Sequence, residues 1–155
     1  MHAGRPADRH ERVGRRGTGA PARAGLLALV CVLAGCGGPI TDDELQRGIQ
    51  TLAATASEGR LVALDAAEDR SKVTFERVAL RDLGEDAEHE AEKLNDAQAK
   101  PENAAVKTRA VKLAQDISSA LGDLQVAPAD RRIARRVQLR LDALSKQADA
   151  LAGRL

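Results

Sequence analysis

The chain has 155 residues with 24 basic and 23 acidic side chains, a formal net charge of +1. Phe75 is its single aromatic residue, with neither Trp nor Tyr beside it, so the aromatic platforms on which bases and many bound ligands stack are absent. The abundance of Ala, Leu, Glu, Lys and Arg, with few β-branched residues, predicts long helices.

In chain order, a basic segment comes first: Arg5, Arg9, Arg12, Arg15, Arg16 and Arg23 outnumber Asp8 and Glu11, and the run from Ala24 to Ala34 then carries no charge. A spanning helix needs about 20 apolar residues, whereas an apolar core of about 7 to 15 behind a positive region is the pattern of a cleaved secretory signal. Arg15-Arg16 suggests twin-arginine export, but Gly17, Thr18 and Gly19 follow where apolar residues belong, so general secretion is expected. Leu33-Ala34-Gly35-Cys36 closes the run and resembles the processing signal of bacterial lipoprotein precursors. That resemblance covers residues 1–36 only. It implies that residues 1–35 are removed, with Leu33, Ala34 and Gly35 as the recognition residues. Cys36 then becomes the first residue and carries a diacylglyceryl lipid on the extracytoplasmic face of a bacterial membrane. Apart from that covalent lipid no cofactor is expected.

On this reading Cys31 leaves with the signal and Cys36 is consumed by lipid, so no thiol remains for a disulfide. Residues 36–40 form a tether, and from Gly37 to Ile40 about 3.4 Å per residue gives a reach of roughly 14 Å. The remaining residues carry 18 basic against 21 acidic side chains, a net charge of −3, and a mildly acidic domain is a poor binder of phosphate backbones.

Thr41-Asp42-Asp43-Glu44 has the form of a capping box that opens a helix, and Asp42 and Asp43 complement its positive end. From there a 4-3 spacing runs without a slip through Leu45, Ile49, Leu52, Ala56, Gly59, Ala63, Ala66, Arg70, Val73, Arg77, Leu80, Gly84, Ala87, Ala91, Leu94 and Gln98, the seam of a coiled coil. Small residues dominate it, which allows close helix approach while burying little apolar area per residue. Gly59, Arg70 and Arg77 mark where the stretch can divide, and the pattern fits one helix or two. Leu61, Val62, Leu64, Phe75, Val78 and Leu83 lie off the seam and broaden the apolar face, which favours contact with more than one neighbour.

Lys100-Pro101 stops that stretch, since proline lacks a donor and disfavours helix in the residue before it. A second segment, about 102–123, repeats the spacing through Val106, Ala110, Leu113, Ile117, Ala120 and Leu124. Gly122 and Pro128 bracket a turn. A third segment, about 129–153, reads Ala134, Val137, Leu141, Leu144, Ala148, Leu151 and Leu155. The expected fold of residues 41–155 is therefore all-α, an antiparallel bundle or coiled-coil-like hairpin of three to four long helices.

Charge placement predicts how the segments pair. A chain folded back near Pro101 brings Lys107, Arg109 and Lys112 opposite the acidic stretch Asp82, Glu85, Asp86, Glu88, Glu90 and Glu92, and carries Arg131, Arg132, Arg135, Arg136 and Arg140 towards Glu58, Asp65, Glu68 and Asp69. Exposed pairs stabilise by only about 0 to 1 kcal/mol each, so they set register more than stability. On this reading charge reversal at Arg135 and Arg136 lowers the melting temperature, and Glu58→Lys with Glu68→Lys restores part of it.

His89 stands near Glu85 and Asp86 on one helical face, half of the Glu-x-x-His pairs that hold di-iron centres. No second histidine follows it in the processed chain, so no metal is expected. Ser118-Ser119 has no histidine near in sequence, and the glycines are scattered singly, so neither a nucleophile nor a phosphate loop is assembled and an enzyme is not expected. Arg131, Arg132, Arg135, Arg136 and Arg140 are candidates for contact with anionic headgroups or a partner. The expected role is a membrane-anchored scaffold or accessory protein of the cell envelope, its partner another envelope protein or itself, with neither nucleic acid nor a small-molecule substrate. The alternative is a ligand- or solute-sensing bundle, which needs a pocket with convergent polar groups.

Overall fold

The computed structural model describes residues 39–155. The expected signal segment 1–35, the processing residues Leu33, Ala34 and Gly35, and the lipid-bearing Cys36 lie outside the described residues. Four helices follow: α1 (Asp42–Glu68), α2 (Val73–Asp96), α3 (Ala104–Val126) and α4 (Arg131–Ala152), with a 3-10 turn at Pro101–Asn103 leading into α3. Short links turn each helix back on its predecessor, so α1 and α3 run one way and α2 and α4 the other. This is the all-α antiparallel bundle the periodicity predicts, with four helices.

Each helix end has a chemical reason. At α1 the Glu44 amide donates to Thr41 Oγ1 at 3.2 Å while the Thr41 amide donates to Glu44 Oε2 at 2.9 Å, closing the capping box. The long seam divides at residues 69–72 and leaves Gly59 inside α1. Glu68-Asp69-Arg70-Ser71-Lys72 holds no apolar side chain, so a helix continuing through it would have nothing to bury. Asp69 takes the left-handed conformation with φ 59°, a region Asp visits more readily than most non-glycine residues. Seam positions flanking the break, Arg70, Val73 and Arg77, are exposed. Glu76 occupies the core position in the first turn of α2 instead, only 2% exposed and accepting a hydrogen bond from Ser71 Oγ. At the start of α4, Asp130 Oδ1 accepts from the amides of Arg132 at 2.8 Å and Ile133 at 3.2 Å.

Away from the break the seam becomes the core. Leu45, Ile49, Leu52, Ala56, Ala63, Leu80, Ala87 and Leu94 are buried, with Ala110, Leu113, Ile117, Ala120 and Leu124 of α3 and Ala134, Val137, Leu141, Leu144, Ala148 and Leu151 of α4. Packing is closest between α1 and α4 and between α2 and α3. Small side chains permit this, and a hydroxyl pair, Ser57 Oγ to Ser145 Oγ at 2.9 Å, satisfies the polar groups left between α1 and α4.

The caps make the fold acid-sensitive. Hydrogen bonds from the Thr41 backbone and side chain hold the Glu44 carboxyl below its ordinary range, and the Ile133 and Arg132 amides do the same for Asp130. A carboxyl that ionises more readily when folded contributes fully above its unfolded value and loses that contribution as pH falls through the lower folded one. With reference values of 4.5 and 3.8, the loss begins near pH 4.5. In melts from pH 7 to 3, the Glu44→Gln, Asp130→Asn double variant is expected to start lower than the wild type and to converge on it at the acid end.

Candidate functional site

The two ends of the bundle differ in chemistry. At the end where the described chain begins, the Ile40 amide donates to the Gln98 carbonyl at 2.6 Å, and Asp42 Oδ1 accepts from Asn103 Nδ2 at 2.7 Å and from Lys100 Nζ at 3.2 Å. Lys107 Nζ donates to the carbonyls of Asn95 at 2.8 Å and Ala97 at 2.6 Å, placing a cation on the negative terminus of α2. The chain at Ile40 and Asp42 is thus pinned to the corner between α2 and α3.

The arginines singled out in the sequence lie at the other end, since α4 starts where α1 finishes. α1 has 27 residues, and at about 1.5 Å per residue its far end stands roughly 40 Å from Ile40. Arg131 Nη2 reaches Asp69 Oδ2 at 2.9 Å, the expected contact between α4 and the end of α1. The remaining expected pairings do not form. Asp65 and Glu68 are both held by Arg70 at 3.0 Å, because an arginine in the adjoining turn reaches them before one on another helix. Arg140 turns the other way, to Asp123 of α3 at 3.3 Å. Arg132, Arg135 and Arg136 are exposed and form no ion pair among the described residues.

The acidic stretch of α2 also fails to meet the lysines of α3 as charge placement predicts. Lys107 is taken by backbone carbonyls, and Lys112 pairs with Asp116 of its own helix at 3.0 Å. The acidic stretch is instead tied to α3 by Ser118 Oγ donating to Glu88 Oε1 at 2.8 Å. That gives Ser118 a structural partner.

Arg131 and Arg132 in the first turn of α4 stand at the positive end of the helix dipole, where cations are disfavoured by about 0.3–1 kcal/mol each, while Arg135 and Arg136 lie one turn further on. Only Arg131 has a carboxylate partner across the bundle. Charge reversal at Arg135 and Arg136 removes one of the cations that favour the Asp130 cap and places new carboxylates near Glu68, which lines the same furrow as Arg135. At exposed sites both effects are small, and the Tm is expected to fall by no more than about 3 °C. Glu58→Lys should give no rescue, which is the reverse of the expectation from charge placement.

Phe75 and Val78 depart from the sequence expectation too. With Leu80 facing the core, they point roughly 140–160° away from it at 3.6 residues per turn, and they are 63% and 45% exposed. Among the described residues the other large apolar side chains left in solvent are Leu61, Val73, Val126 and Leu139. All six lie in the half of the bundle remote from Ile40. Val73, Val126 and Pro128 line an open cleft between the start of α2 and the α3–α4 corner, walled by Arg77, Arg131 and Arg132. A separate furrow between α1 and α4 is lined by Leu64 and Leu139 with Glu68 and Arg135.

Elsewhere a furrow of about 300 Å³ between α3 and α4, open to solvent, is lined by Leu113, Leu151, Arg109, Lys112 and Arg154. Its Lys112 is already bound to Asp116. Among the described residues, no three His, Cys, Asp or Glu side chains come together as metal ligands; His89 is exposed, and Glu85 faces Arg81 at 3.7 Å. No described helix is long and apolar enough to cross a membrane. No protein-family model, curated protein or solved structure matches the chain.

Proposed function

We propose that the chain is an exported bacterial lipoprotein whose helical bundle works as a non-catalytic scaffold or accessory protein in the cell envelope, moored through a diacylglyceryl group on Cys36. The observation that carries this reading is Leu33-Ala34-Gly35-Cys36 behind an uncharged run and an arginine-rich leader. Two acyl chains, each buried CH₂ contributing about 0.8 kcal/mol, hold a protein on a bilayer where a single chain gives only marginal binding. Pinning Ile40 to Gln98 supports the same reading, because a short tether then delivers the pull of the anchor to one defined end of the bundle.

The seam's small residues are buried within one copy: Ala56, Ala63, Ala87 and Ala91 all lie in the core. A partner therefore has to meet other surface. Contact of Arg131, Arg132, Arg135, Arg136 and Arg140 with headgroups of the anchoring bilayer requires the bundle to lie flat on it, whereas a partner reaches them in any orientation.

Intact-mass analysis of protein extracted from membranes is the test. A chain beginning at Cys36 with a diacylglyceryl adduct is expected. An unmodified chain retaining residues 1–35 in the cytosol rejects the reading.

A further inference from the structure

We infer that the outer face of the α1–α4 pair is where a second copy of this chain docks, the two copies packing about a twofold axis parallel to their helices. The inference rests on the mooring reading for its orientation and adds to it the partner and the place of contact.

α1 and α4 pack on each other more closely than any other two helices, so their outer sides form one surface. Leu61 lies about 160° round α1 from the buried Ala63, and Leu139 lies as far round α4 from the buried Leu141. The two leucines are 50% and 70% exposed. Each belongs to a row that recurs every seventh residue: Ala54, Leu61 and Glu68 on α1, and Arg132, Leu139 and Lys146 on α4, all of them exposed. A seven-residue repeat with leucine at its centre is the pattern of a helix-pairing seam, yet among the described residues no helix covers either row. Both rows open on the same side, because Glu68 lines one furrow with Arg135 and Leu139.

Charge identifies the occupant. The α1 side of this face carries Glu58, Asp65 and Glu68, whereas the α4 side carries Arg132, Arg135 and Lys146. Glu58, Arg132 and Arg135 form no ion pair among the described residues. A face acidic along one helix and basic along the other complements neither an acidic segment nor an anionic bilayer. It complements a copy of itself. A twofold axis parallel to the helices lays α1 of one copy over α4 of the other, again antiparallel. Within one copy the relative height of the two helices is fixed by Arg131 Nη2 on Asp69 Oδ2 at 2.9 Å and by Ser57 Oγ on Ser145 Oγ at 2.9 Å, and the axis carries that height across unchanged. In this register Glu68 faces Arg132 and Arg135 of the second copy, Leu61 faces its Leu139, and Ala54 faces the aliphatic stem of its Lys146.

The anchor selects this axis among the twofold arrangements. It leaves Ile40 of both copies at the same end, so two chains on tethers of roughly 14 Å can share one bilayer. An axis across the helices would lift the second Ile40 by roughly 40 Å, beyond the reach of its tether. α4 has 22 residues, so the face is about 33 Å long and about 20 Å wide, at the small end of specific interfaces. Confinement of both copies to one surface raises their local concentration and offsets that modest area.

Cross-linking between differently tagged copies of the full chain, made in the same cells, tests this. One copy carries Leu61→Cys and the other Leu139→Cys, and a short bismaleimide joins thiols that lie close together. The expected adduct carries both tags and is at least about fivefold stronger than when Gln115→Cys, at an exposed site on α3, replaces Leu139→Cys. Glu68→Arg in both copies should lower the adduct by about three- to tenfold. Glu68→Arg in one copy with Arg135→Glu in the other should restore it, because both Glu–Arg contacts of the pair are then remade with their signs exchanged. That restoration also shows that each variant folds. An adduct no stronger than the Gln115→Cys control overturns the inference, and so does one indifferent to the charges or lost without rescue by the exchange. Cys36 acylation is read by mass in the same cells. An acylated chain without the adduct overturns the self-association alone, whereas an unacylated chain that still gives the charge-dependent adduct overturns the mooring and leaves the face standing.

Discussion

Gly59→Val is expected to lower the Tm by about 5–15 °C, while Gly122→Ala raises it by a few degrees, in thermal melts of the same domain. A Cβ at position 59 would stand 2.5 Å from Leu121 Cδ2 and 3.1 Å from Leu141 Cδ1. Both leucines are fully buried, so neither can swing into solvent to make room. Gly59 is where α1 presses on α3 and α4 at once, and overfilling such a contact costs about 1–3 kcal/mol. The β-branch adds rotamer restriction inside the helix. Nothing lies within 4 Å of a Cβ at Gly122, where alanine in place of glycine in a helix interior gains about 0.8–1 kcal/mol. A loss at both positions would mean that helix approach at Gly59 is not the controlling contact.

The same glycine shows what the sequence could and could not reveal. The spacing identified the core faces of α1, α3 and α4, because buried residues repeat at 3.6-residue periods whatever their partner. It marked Gly59, Arg70 and Arg77 as places where the stretch can divide without choosing among them, and the break at residues 69–72 falls at Arg70 while Gly59 stays inside α1. The link holds neither Gly nor Pro and preserves the phase of the seam from Ala66 to Leu80, so spacing alone could not choose. Whether a small residue marks a break or a close contact depends on what stands opposite, here Leu121 and Leu141, more than 60 positions along the chain.

Charge complementarity was legible only in outline. Arg131 meets Asp69 as expected, but Arg70 captures Asp65 and Glu68 and Lys107 goes to carbonyls. Short loop closures and helix termini compete for long cationic side chains as strongly as acids on another helix do. The candidate surface emerged from the remainder. Arginines left without partners and apolar side chains turned outward could be recognised only once the phase of every helix was fixed by packing.

Exporting residues 37–155 behind an ordinary cleavable secretory signal, without Cys36, is expected to shift the chain from the membrane to the soluble extracytoplasmic fraction by more than about a hundredfold in their ratio. The Tm should not change, because Cys36 precedes every described helix. In the same series, Cys36→Ala in the full chain should accumulate as the uncleaved precursor, heavier by residues 1–35 and lacking the lipid. The soluble form also shows whether the bundle itself binds lipid. If Phe75, Val78 and the α4 arginines bound lipid directly, removing Cys36 would leave the protein sedimenting with vesicles, and neutralising Arg132 and Arg136 would then release it.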